Sequence, residues 1–484
     1  MRKRKENKND KLILFGACLL IVAFLSWIIS ASTYQSGQLV DIGMYRAGLY
    51  DIIAVIFSGL TYKIEDVIFI LFVGGLYGVL SKAESYKKIV NSTVKFIKGK
   101  EIIAFAVITL LVGLYASISN NLMSLFFLAP FIMTVFLKSG YDKLTAVSAG
   151  FGGLFLGFLG QTFSTYTNVN SVSGSAVTFL FDNLSVKATD MIGIKFVIFF
   201  VGYVLFNVFA ILHMRKNKNV ELEENADMCE VGEVEKTTKK RDQIMTWPTV
   251  VTGVLALIVI LLGYVSWSAS FGVDLFSKVH TAVMDFAIAD VKVMQTLIGE
   301  TITAFGTWSN LFPALFALVF VLIVVAITNR ISINTLIENF GEGVKKISKV
   351  AFMYGVSFAF LYLMSLFPWP TSLVDAFINP ESFNVVFLLI AGFISVIFCA
   401  DPSFSGYYFG SYLAAVYSTN AAATALVWRM GGALALLLGP TSFILLTALT
   451  YADIPYKNWL KYIWKFALTF VIAALIVMAV AIYI

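Results

Sequence analysis

The chain has 484 residues, 59% of them hydrophobic and only 13% charged, with a formal net charge of +6 and a mean hydropathy of +0.85. A soluble domain carries about 25% charged residues, so a soluble multidomain enzyme is excluded. The modest positive charge, gathered in a few loops, marks orientation rather than a nucleic-acid surface.

The first apolar run, Leu12–Ile29, follows Met1-Arg-Lys-Arg-Lys. It is long for a signal peptide and lacks a clear cleavage pattern, so it reads as a retained helix with its basic flank in the cytoplasm. Residues 31–63 are then external and hold a short apolar stretch, Ala47–Leu60. Asp66–Ser81 returns inward to a segment with Lys82, Lys87, Lys88, Lys95, Lys98 and Lys100. Ile102–Leu137 has basic flanks at both ends and a polar interruption at Ser117-Ile-Ser-Asn-Asn121. It is either two short spans or a re-entrant hairpin, and the polar tip favours the hairpin, since irregular backbone at membrane depth must face protein or water.

Leu144 to about Val172 runs outward through a second polar break, Gln161-Thr-Phe-Ser-Thr-Tyr-Thr-Asn168, and Met191–His213 returns. Residues 214–246 alternate Lys and Glu and read as a cytoplasmic linker. Trp247–Trp267 goes outward as a connector, and Ser268–Ser309 is an external region with helices expected at the interface. Leu311–Ala326 comes in, Ile331–Lys349 is amphipathic, and Val350–Phe367 goes out. Val385–Val416 is broken at Asp401–Gly406 with no basic residue on either flank, so it reads as a hairpin entering from outside. Ala421–Leu449 passes inward through a fourth break, Gly439-Pro-Thr-Ser442, and Phe466–Ile484 exits.

Each half thus reads span, interfacial segment, span, hairpin, broken span, span. The expectation is an all-α polytopic protein of the cytoplasmic membrane with an inverted repeat, two re-entrant hairpins and two broken helices. The first repeat is 1–213, with its hairpin at about 102–137 and its broken helix at about 144–172. The linker is 214–246, and the connector with its external region is 247–310. The second repeat is 311–484, with its hairpin at about 385–416 and its broken helix at about 421–449. Matching breaks in two inverted halves are the sequence mark of a secondary transporter's binding site.

Broken helices leave N–H groups free at one half-helix end and C=O groups at the other, which suit carboxylates and Na⁺ respectively. Ser117, Ser119, Asn120 and Asn121 add compact oxygens at the first tip, and Thr162, Ser164, Thr165, Thr167 and Asn168 at its paired break. For one such break, helix–helix glue is an equal reading; four in repeat register point to function. Asp401 and Arg429 are intramembrane ionisable groups, which are costly and functional by default. They read either as a mutual ion pair or as partners of a substrate carboxylate and of a proton or ammonium. His213 and His280 lie outside the breaks, and the three cysteines form no CxxC or Cys/His pattern, so neither zinc nor a disulfide is indicated. Gly150, Gly152, Gly153, Gly157 and Gly160 suit close helix packing.

Several segments resemble a known family. These are Leu71-Phe-Val-Gly-Gly-Leu-Tyr-Gly78, Leu137-Lys-Ser-Gly-Tyr-Asp-Lys-Leu-Thr145, Gly439-Pro-Thr-Ser-Phe443 and Ile454-Pro-Tyr-Lys-Asn-Trp-Leu-Lys461. Together they are similar to the YfcC-like branch of the anaerobic C4-dicarboxylate carriers (the DcuC type) within the ion transporter superfamily. The chain departs from that pattern at Ile118–Phe127, where the branch has an acidic motif, and at Gln161–Ser164, where it has Asn-Pro. The resemblance implies elevator transport, a homodimer, and one Na⁺ site shared by each hairpin tip and its facing break. On that reading Ser117, Ser119, Asn120, Thr162, Ser164, Ser403, Ser405 and Thr441 are the cation ligands. Substrate would meet Ser119, Asn120, Asn121, Thr165, Asn168, Asp401, Ser403, Ser405, Arg429, Thr441 and Ser442. No organic cofactor is called for. The leading function is secondary transport of a small organic anion or amino acid, coupled to Na⁺ or H⁺ or working by exchange or export. A channel, an intramembrane enzyme and an accessory protein are the competing classes, and no nucleophile elbow or metal cluster favours the enzyme.

Overall fold

A computed structural model describes residues 10–35, 38–119, 121–160, 168–170, 176–178, 184–187, 189–218, 245–288 and 290–483. Its apolar runs are helices. In the first half these are α1 (Asp10–Leu25), α2 (Leu49–Tyr62), α3 (Ile64–Leu80), α4 (Glu84–Ile97), α5 (Glu101–Ile118), α6 (Ala129–Lys138, entered through a 3₁₀ turn at Leu122–Leu128), α7 (Lys143–Gly160) and α8 (Ile192–Lys216). After α9 (Trp247–Gly263) come three short helices, α10 (Trp267–Phe271), α11 (Leu275–Met284) and α12 (Val293–Ile298). The second half holds α13 (Phe312–Thr328), α14 (Ile333–Ser357), α15 (Ala359–Leu366), α16 (Pro370–Asp375), α17 (Val385–Cys399), α18 (Pro402–Val416), α19 (Ala421–Leu438), α20 (Phe443–Ala452) and α21 (Tyr456–Tyr483). Among the described residues six helical segments are long and apolar enough to cross a membrane, or seven if the bent pair α3–α4 is one span.

The protein is a multi-pass helical membrane protein with two hairpins and broken helices. Glycine contacts organise it. Gly78 meets Asn339, Gly74 meets Ile347, and Gly59 meets Ala359, so α2–α3 and α14–α15 run antiparallel in backbone contact. A Cβ on Gly343 would lie 2.2 Å from the Gly74 carbonyl oxygen, which leaves no room for a side chain. Beside this pair, α5 packs on α7 where Gly157 meets Ala116 and Gly113. The second half repeats the arrangement, α17 packing on α19 where Gly431 meets Leu389 and Phe393. In the first hairpin, Phe105 and Phe136 touch at the base (5.9 Å between centroids) and Tyr115 Oη reaches Ser124 Oγ (3.3 Å) near the tip.

One face collects the basic loops. Ser85 Oγ accepts from Asn329 Nδ2 (2.8 Å) and from Thr249 Oγ1 (3.1 Å), joining the start of α4 to the end of α13 and the start of α9. There α3 turns by 91° into α4, which buries Tyr86, Val90 and Ile97 and turns its lysines outward. On the same side Lys11 of α1 is 1% exposed and bonds the Ile454 carbonyl (3.2 Å) while pairing with Asp10 (3.1 Å) and Asp453 (3.5 Å). The opposite face carries a hairpin, β1 (Ala31–Gln35) and β2 (Gln38–Gly43), whose Tyr34 stacks on Tyr412 of α18 at 3.9 Å.

Two expectations meet a different structure. The first broken helix is described as far as Gly160, and Asn168–Asn170 (β3) pairs antiparallel with Ala176–Thr178 (β4) where helix was expected to about 172. β-Branched Val169, Val177 and Thr178 suit these strands. The amphipathic segment Ile331–Lys349 and the span after it are one long helix, α14, continued by α15. Most of the linker, 219–244, lies outside the described residues.

Candidate functional site

The two hairpin tips and the second break are built by side chains that cap backbone. At the first tip, Asn121 Oδ1 accepts from Met123 N–H (3.0 Å), and Asn121 Nδ2 donates to the Ser309 carbonyl (3.2 Å). Ser119 Oγ donates to the Asn121 carbonyl (3.1 Å), and Ser117 Oγ donates to Leu114 O (2.8 Å). Ser119 also forms a β-bridge with Val265, so the tip is seated against the end of α9. Asn120, Thr162, Ser164, Thr165 and Thr167 lie outside the described residues; Asn168 is in β3, opposite Thr178.

At the second tip, Ala400 takes a left-handed conformation (φ 58°) that turns the chain sharply, and Asp401 then caps α18. Its Oδ1 accepts from Ser403 N–H at 2.8 Å, a carboxylate on the positive helix end. Ser405 Oγ contacts Ser395 Oγ (2.7 Å) and accepts from Trp428 Nε1 (3.0 Å), tying both hairpin arms to α19. Thr441 Oγ1 donates to Ile397 O (2.7 Å), so the fourth break touches the first arm of this hairpin.

The break at 439–442 leaves the last carbonyls of α19 without helical partners. Ser442 Oγ donates to Leu436 O (2.6 Å) and accepts from Leu445 N–H (3.2 Å), capping both half-helices with one hydroxyl. Trp459 Nε1 donates to Leu437 O (3.0 Å), and Tyr456 Oη donates to Leu438 O. In this conformation those carbonyls are met by protein donors rather than left for a cation.

The structure does not bring Asp401 and Arg429 together. Asp401, 2% exposed, lies within electrostatic reach of Tyr62 and of Asp66, which accepts from Tyr354 Oη. Arg429, 7% exposed, lines a narrow cavity with Lys195 of α8, Asp190 and the C-terminal residues Phe158–Gly160 of α7. Two cations and one carboxylate thus line the same cavity. Lys195 is 3% exposed and lies inside the span expected at Met191–His213. The cost of an intramembrane charge, applied there as it was to Arg429, would have marked it. Asp66 escaped notice because it opens its expected span, where a carboxylate reads as an interfacial residue.

His213 is structural. Its Nε2 lies 2.8 Å from Asp142 Oδ2, fastening the last turn of α8 to the turn between α6 and α7. Burial pushes the Asp142 carboxyl up, but hydrogen bonds from His213 and Thr145 outweigh it and hold it below the usual carboxylate value.

The model of the C4-dicarboxylate anaerobic carrier family matches residues 14–483. An uncharacterized protein of Haemophilus influenzae is 27% identical over 150 residues, which span 30% of this chain and 28% of that protein's length. The crystal structure of the YdaH transporter of Alcanivorax borkumensis, described as having an unusual topology, aligns over 98% of each chain at 13% identity with a TM-score of 0.39.

Proposed function

The chain belongs to the C4-dicarboxylate anaerobic carrier family and is a membrane transporter, and on that premise we propose that it is a secondary active carrier for a small organic anion. The observation that carries the anion is the buried pair of cations, Arg429 and Lys195, around one cavity at the end of α7. They share that cavity with one carboxylate, Asp190, so the cations outnumber the anions lining it. A guanidinium suits a substrate carboxylate with two parallel donors.

For coupling we propose a proton carried at Asp401. At the fourth break Thr441 and Ser442 hydroxyls donate to backbone carbonyls. Asp401 is a buried carboxylate at a hairpin tip, near a second carboxylate, Asp66, with Tyr62 and Tyr354 beside them. Ionisable side chains inside a membrane protein are costly to keep and mark functional sites by default. We further propose that hairpins and broken helices move against α2–α3 and α14–α15, whose backbone contact suits a rigid frame, with the basic loops facing the cytoplasm.

The test is uptake into proteoliposomes under an imposed proton or Na⁺ gradient, for wild type and Asp401→Asn. Proton-driven uptake that Asp401→Asn uncouples supports the reading. Uptake that requires Na⁺ and ignores the proton gradient overturns the coupling assignment but leaves the carrier intact.

A further inference from the structure

On the basic face, the start of α5 and the end of α8 enclose a pocket of about 300 Å³. Its wall carries Lys100, Arg215 and Lys218 against one carboxylate, Glu101. Glu101 is already engaged: Oε1 accepts from Gly99 N–H at 3.0 Å and Oε2 lies 3.9 Å from Lys218 Nζ. The three cationic residues are exposed, so the pocket presents a net positive wall to whatever enters.

Ile103 of the pocket wall begins an exposed apolar surface, and the two helices, packed side by side, leave a groove along their line of contact. On α5, Ile103, Val107 and Leu111 are 63%, 47% and 61% exposed; on α8, Val204, Val208 and Leu212 are 55%, 48% and 50% exposed. A spacing of four places each trio on one stripe. The helices touch between the stripes, where Tyr203 Oη donates to Ala106 O (3.0 Å) and Thr109 Oγ1 to Asn207 Oδ1 (3.4 Å). Each stripe covers about 12 Å of helix at the standard rise. In a membrane protein such outward apolar stripes face lipid.

We propose that this pocket and groove form a seat for an anionic phospholipid. The phosphate sits among Lys100, Arg215 and Lys218, and an acyl chain lies between the stripes of α5 and α8. Basic pockets between membrane helices recognise anionic headgroups in this way. Free inorganic phosphate matches the pocket but has nothing to place in the groove, so the continuity of charge and apolar surface selects the lipid. Because α5 is the first arm of a hairpin, the lipid braces the hairpin's foot.

The test uses the full chain in detergent, titrated with phosphatidylglycerol, phosphatidylcholine or inorganic phosphate while the unfolding midpoint is followed. Phosphatidylglycerol should raise the midpoint and phosphatidylcholine should not. Each cation removed should weaken the effect about fivefold, so Lys100→Gln/Arg215→Gln/Lys218→Gln should need on the order of a hundredfold more lipid. A Lys100→Arg/Lys218→Arg variant keeps the charge and should respond like wild type, which separates lost binding from impaired folding. A narrower check is Val107→Trp, which fills the groove and should weaken phosphatidylglycerol without touching the cations. Equal responses to the two lipids, an undiminished response in the triple variant, or a matching response to inorganic phosphate would each overturn the proposal.

Discussion

The break that ends α19 makes a quantitative prediction about hydrogen bonding. Leu436, Leu437 and Leu438 offer carbonyls inside the protein, and Ser442, Trp459 and Tyr456 serve them one each. Tyr456→Phe deletes a single donor, leaves the ring, and strands the Leu438 carbonyl. Leaving a buried acceptor unmade costs about 1–3 kcal/mol. Trp459 is 0% exposed and packs on Phe155 (6.0 Å between centroids), so Trp459→Phe adds a packing loss and should cost about 2–4 kcal/mol. The two donors serve adjacent carbonyls, so the double variant should fall short of additivity. Denaturant unfolding in mild detergent, followed by far-ultraviolet circular dichroism, gives the differences at constant slope. If a cation rather than these side chains satisfied the break, wild type would gain stability in Na⁺ over K⁺ and Tyr456→Phe would change it by less than about 0.3 kcal/mol. That pair of results would refute the reasoning.

Other consequences follow from single contacts. Gly343→Val places a side chain where backbone lies at 2.2 Å and should cost at least about 1–3 kcal/mol, whereas Gly341→Ala, with open space around it, should leave the thermal midpoint unchanged or slightly raised. Asp142 is held below its usual value, so its contribution is complete above the unfolded-state value of about 3.9 and is lost as pH falls below it. Between pH 6 and pH 3 the unfolding midpoint of wild type should therefore drop more steeply than that of Asp142→Asn, the two curves converging below about pH 4. Lys11→Met removes the buried ammonium that holds Ile454 O and two carboxylates and should destabilise by about 1–3 kcal/mol in the same unfolding assay.

The architecture was legible because polar residues inside long apolar runs are rare and costly. The first hairpin's arms begin at Glu101 and end at Lys138, the second's begin at Val385 and end at Val416, and small polar residues interrupt the apolar pattern between the arms. What those polar residues do was not legible. Ser405, Thr441 and Ser442 read equally as ligands or as glue, and the outcome depends on partners far along the chain: Trp428, Ile397 and Leu436. Tyr456 and Trp459 lie well beyond the fourth break in the chain, and only folding brings them under the α19 carbonyls. Lys195 was readable by the same cost that singled out Arg429. Asp66 was not, because a carboxylate at a helix start needs no buried partner until tertiary packing sets Tyr354 on it.

The most direct measurement is uptake of radiolabelled succinate and aspartate into proteoliposomes, comparing wild type with Arg429→Gln at equal reconstituted amounts. A carrier that binds a substrate carboxylate at Arg429 predicts saturable, gradient-driven uptake. Loss of one charged hydrogen-bonding partner, about 1.5–3 kcal/mol, predicts an uptake ten- to hundredfold lower in the variant at limiting substrate. Flux that rises linearly with concentration, or that Arg429→Gln leaves unchanged, would contradict it.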